Sequence, residues 1–143
     1  MNVVTPRWTR ILLVALGLPN LVTGLWAVID PQGWFENFPG WAPRLVAAHP
    51  PFNDHLATDG GAGLLATGLL ALFAAWQPRR HVIATAMLGY AAFTLPHTLF
   101  HVFERGQDIS GTDRVAEVAP LVLATGAAIV ILLDALTRPE ATS

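Results

Sequence analysis

HVIATAMLGYAAFTLPHTLFHVF, residues 81 to 103, is the stretch that decides the fold. It contains no Asp, Glu, Lys or Arg, and it is long enough to cross the hydrocarbon of a bilayer, which takes about 20 apolar residues. A helix is the form a single segment takes there, because its backbone groups are satisfied internally. Two residues are out of place in such a run. His97 and His101 lie one turn apart, on one face. Ionisable side chains in lipid are costly and usually face a protein interior or a cavity.

Working outward, three more runs have the same character: about Trp8 to Ile29, His55 to Trp76 and Val115 to Leu136, with His81 to Phe103 as the third in chain order. The chain of 143 residues is 53% hydrophobic and 13% charged, against about 25% charged in soluble domains. The expected fold is therefore all-α: an integral membrane four-helix bundle forming a single domain over residues 1–143. A long extracytoplasmic loop, about Asp30 to Asp54, joins helices 1 and 2. The first run is expected to stay as a span rather than be removed as a signal peptide, since LWA before Val28 lacks the small-residue pair of a cleavage site.

Charge sets the expected orientation. Arg7, Arg10, Arg79, Arg80 and Arg138 fall on one side of a four-span arrangement, and Arg44, Arg105 and Arg114 on the other. The positive-inside rule then puts both termini in the cytoplasm of a multi-pass cell-membrane protein. A net charge of -2 gives no electrostatic basis for nucleic-acid binding. Without cysteine there is neither a disulfide framework nor a thiolate metal site.

The connection Gln77-Pro78-Arg79-Arg80 is short enough to make the second and third spans antiparallel neighbours. The long loop carries Trp34, Phe35, Phe38 and Trp41 with five prolines, a composition for lying in the interface or capping the bundle. Asn20, beside Pro19 near mid-membrane, is expected to face the bundle. The glycines after Asp59 (Gly60, Gly61 and Gly63) are expected to bring the second span close to the third.

The polar residues then converge by depth. His55 and Asp59 begin the second span, His97 and His101 end the third, and Glu117 lies one turn into the fourth. At about 1.5 Å rise per residue these reach the same outer layer. The set His55, Asp59, His97 and His101 offers three nitrogens and one oxygen, suited to a divalent ion such as zinc or iron. Glu117 is a further ligand, a second acceptor or a general base; Asp59 and Glu117 are the candidate catalytic groups. Bland alternatives stand beside this. The two histidines can form a metal-free hydrogen-bond network or meet another cofactor. Asn53 or Asp54 can simply cap a helix, with Asp59 and Glu117 favouring helix dipoles. His49 reads as a loop residue, and Asp134 as an interfacial one paired with Arg138.

Phe52-Asn53-Asp54-His55 with Asp59-Gly60-Gly61, and Leu95-Pro96-His97 with Phe100-His101, resemble uncharacterised four-span membrane proteins of actinobacteria, DoxX-like in layout. That resemblance implies a four-helix membrane bundle and no settled activity. A looser chemical likeness is to multi-span metal-dependent hydrolases, which combine His and Asp with an HxxxH pair.

The functional expectation is a binding or accessory subunit with a His/carboxylate site at the extracytoplasmic face, contacting the lipid bilayer and a membrane-protein partner or a second copy. One alternative is a metal-dependent hydrolase or oxidoreductase of the membrane interface, acting on a lipid or quinone. The other is a structural partner of a larger membrane complex.

Overall fold

The computed structural model describes residues 6–104, 106, 109 and 111–137. Among them are five α-helices and no strand: α1 (Arg7–Ile29), α2 (Pro31–Asn37), α3 (Asp54–Trp76), α4 (Arg80–Phe103) and α5 (Gly111–Thr137). All but α2 are long and apolar enough to cross a membrane. The expected spans agree with these bounds, α5 beginning one turn earlier than the apolar run. Ile11, Val22, Leu123 and Val130 are each more than half exposed, as a lipid-facing surface requires. Arg105, Asp108 and Arg138 lie outside the described residues, and the expected pairing of Asp134 falls there through Arg138.

The spans pair in two hairpin-like halves. α1 packs most extensively along α3, and α4 along α5; α3 touches α4 and α1 touches α5 more sparingly. Small residues explain the first pairing. A Cβ added at Gly24 would lie 2.3 Å from the Leu65 backbone nitrogen, and one at Gly68 2.5 Å from that of Leu21. Only glycine permits that approach, which brings one backbone against the other. Gly61 likewise abuts Ala27. Here the structure corrects an expectation: Gly61 draws α3 toward α1, not α4. Gly63 does serve α4, leaving the space that the Phe93 ring fills.

The α4–α5 pair is joined by arginines at both ends. Arg114, early in α5, donates to the Val102 and Glu104 carbonyls where α4 ends. Arg80, the first residue of α4, donates to the Ala135 and Leu136 carbonyls where α5 ends. Each cation satisfies orphan carbonyls at a helix C-terminus, where the dipole also favours it. Between these clamps the Thr98 and Thr125 hydroxyls meet at 2.8 Å.

Packing is tight toward the α3–α4 turn. Leu13, Ala71, Ala74, Met87, Tyr90, Ala128 and Ile131 form the buried core there. Toward the opposite end the two halves part around a cavity. Three prolines within helices lie at or beside it: Pro19 and Pro120 line its wall, and Pro96 precedes the lining residue His97. Proline inside a helix removes one backbone bond. Asn20 faces the bundle as expected, lining the cavity and donating to Thr67 Oγ1 at 3.0 Å.

The loop after α1 is ordered by local chemistry. Asp30 caps α2 by accepting from the Gly33 N–H at 2.9 Å, with Pro31 at the first helical position. Asn53 caps α3 by accepting from the Leu56 N–H at 3.0 Å. Between these caps the chain folds over the cavity mouth.

Candidate metal centre

The site is built around one carboxylate. Glu117, in the second turn of α5, has a side chain only 3% exposed. Its Oε1 accepts from two imidazoles, His49 Nε2 at 2.6 Å and His101 Nδ1 at 2.9 Å. Its Oε2 accepts from Arg114 Nη1 at 2.9 Å. A buried carboxylate without partners would be costly; this one is paired with a cation and fully hydrogen-bonded. Arg114 thus has two tasks, closing the end of α4 and compensating the charge of Glu117.

Three different segments deliver these groups. The loop supplies His49, α4 supplies His101 and α5 supplies Glu117. Their donor atoms lie within 4.8 Å of one another, a grouping able to hold a metal ion. The imidazoles of His49 and His101 meet edge to face at 4.9 Å between centroids. His97 adjoins the cluster, its ring 4.7 Å from that of His101 and stacked on Phe93 at 6.2 Å. No hydrogen bond to its ring nitrogens is found among the described residues, and it faces the cavity.

The expected partners from α3 are elsewhere. His55 and Asp59 pair with each other at 3.4 Å on the surface, with side chains 82% and 62% exposed. Neither lines the cavity. The reason is angular. Ala57 and Gly61 are the buried face of this end of α3, and a displacement of two residues turns a side chain about 200° away. His55 and Asp59 therefore stand at the expected depth on the opposite side of the helix. Asn53 as the helix cap accounts for the polar start of α3. So the structure brings His97, His101 and Glu117 together, leaves His55 and Asp59 outside, and adds His49.

His49 and Arg114 are the members of this cluster absent from the set read from the sequence. Arg114 could have been found, since it precedes Glu117 by three residues on one helix face. For His49 no periodic signal exists, because its position depends on the path of the loop.

The cavity beneath this cluster measures about 720 Å3. Its roof comes from α2 and the loop, through Trp34, Phe38 and Trp41; its walls include Leu64, Phe93 and Phe100. Glu117 is the one carboxylate among the described residues that line it.

No known protein family, curated protein or solved structure matches this chain. The actinobacterial and DoxX-like likeness thus has no support beyond the short motifs that carry it, whereas the four-span membrane architecture stands on the structure.

Proposed function

We propose that this protein is a metal-binding membrane protein, holding one divalent ion on His49, His101 and Glu117 and acting as a binding or accessory subunit. The observation that carries this reading is the approach of three ligand atoms from three separate segments to within 4.8 Å. Two imidazoles and a carboxylate make a common three-ligand set for zinc, which leaves a fourth position for water or a ligand. That position would lie beside His97 and the cavity. Arg114 on the other carboxylate oxygen would orient Glu117 as a ligand, the role of an outer hydrogen-bond partner. A bound ion would replace the two imidazole–carboxylate hydrogen bonds, each neutral imidazole carrying its N–H on the other ring nitrogen, and binding would weaken at a pH low enough to protonate the imidazoles. By the positive-inside rule the centre faces the extracytoplasmic side, with both termini in the cytoplasm. Zinc titration of chelator-stripped protein tests the assignment. Stoichiometric binding that is lost in His101→Ala supports it, and equal binding by the variant rejects it.

A second reading, a metal-dependent hydrolase or oxidoreductase acting on a lipid or quinone, draws support from the cavity beside His97. Its general base needs revision. Asp59 stands on the surface and Glu117 would be taken up by the ion, which would leave His97 to handle the proton.

A further inference from the structure

We propose that the cavity is a binding site for a neutral amphiphile drawn from the membrane, one with an apolar body and a hydroxyl or carbonyl head, and that His97 is the residue that binds the head. This goes beyond the ion site and does not depend on it.

Three observations combine. The first is volume: about 720 Å3 lies within the roughly 300–1,000 Å3 of small-molecule pockets. The second is lining. Trp34, Phe38, Trp41, Leu64, Phe93 and Phe100 present aromatic and aliphatic surface, which favours an apolar body over water. The third is the distribution of polar groups. Glu117 is committed to His49, His101 and Arg114. Asn20 donates to Thr67. His97 alone among the cavity imidazoles has no hydrogen-bond partner among the described residues, its ring stacked on Phe93; the Trp34 Nε1–H in the roof is also buried without a partner and offers a second donor to the head. A neutral imidazole has one donor and one acceptor nitrogen, so it can serve either a hydroxyl or a carbonyl. Arg114, the cation of the cluster, already binds Glu117 and two carbonyls, so an anionic head finds no free counter-charge there. The cavity's position within the membrane-crossing helices places it where such amphiphiles are concentrated.

The test compares two probes of equal skeleton, farnesol and farnesene, by native mass spectrometry of the detergent-solubilised full chain in EDTA. EDTA removes any ion, so failure here is distinct from failure of the metal assignment. Wild type is expected to bind one farnesol per chain. His97→Phe retains a ring on Phe93 but no polar atom. It is expected to lower the preference for farnesol over farnesene about three- to tenfold, the equivalent of one net hydrogen bond. Comparing that ratio between variant and wild type cancels the probes' partition into micelles. Leu64→Trp, which fills the cavity, is expected to abolish binding of both. The proposal is overturned if wild type binds no farnesol, or if His97→Phe leaves the ratio unchanged. It is equally overturned if Leu64→Trp, with wild-type helicity, binds farnesol as wild type does; the His97→Phe comparison decides alone should Leu64→Trp fail to fold.

Discussion

His49 Nε2 lies 2.6 Å from Glu117 Oε1, joining a loop residue to a buried carboxylate 68 positions away in sequence. This bond fastens the cap to the bundle. Hydrogen bonds to charged groups contribute about 1.5–3 kcal/mol. His49→Ala is therefore expected to speed amide exchange in residues 38–49 by roughly tenfold or more, with the spans unchanged. Equal exchange in variant and wild type would mean the cap is held by its aromatic contacts alone.

Removing the carboxylate itself should reach further. Glu117→Ala strips Arg114 of its counter-charge and both imidazoles of their acceptor. Breaking a fully buried pair costs about 3–5 kcal/mol; with Arg114 about one-fifth exposed and able to rehydrate, roughly 2 kcal/mol is expected. Thermal unfolding in mild detergent measures it. An unchanged midpoint would show that the cluster contributes nothing to the fold.

Close packing of α1 on α3 gives a separate expectation. Gly24→Ala places a methyl against the Leu65 backbone, which cannot swing aside as a side chain could. A loss of about 1–3 kcal/mol is expected, typical of overpacking. Gly126→Ala is the control, because nothing lies within 4 Å of its added methyl. That change should be neutral or slightly stabilising, since alanine favours the helix. The same loss at both positions would contradict the packing account.

His55 and Asp59 should matter little. Exposed i,i+4 ion pairs often contribute nothing measurable. The double variant His55→Ala/Asp59→Ala is expected to match wild type in unfolding midpoint and in zinc affinity. A clear drop in affinity would restore the α3 pair to the site.

Much of this architecture is legible in the sequence, and the limits have a physical source. The spans are readable because lipid forces long apolar runs; α4 was delimited almost to the residue by the run from 81 to 103. Depth is readable too, since helical rise is fixed, and it brought His97, His101 and Glu117 to one layer. Rotation is harder. Spacing shows that His55 and Asp59 share a face of α3, but the face that turns inward is the one with Ala57 and Gly61, where Gly61 meets α1. Glycine spacing marks close approach without naming the neighbour: Gly61 meets α1, whereas Gly63 meets α4 as expected. His49 was out of reach altogether, because an irregular loop has no period from which to compute its end point. The proline-rich segment shows its capping role only once α2 has formed on Asp30 and Pro31.

The central claim is that His49, His101 and Glu117, rather than the α3 pair, form a metal centre. Its most direct test is the zinc content per chain after stripping, reloading with zinc and desalting. Wild type and His55→Ala/Asp59→Ala are expected to retain one zinc per chain, and His49→Ala/His101→Ala none. Equal zinc in wild type and His49→Ala/His101→Ala, at any level, would contradict the account.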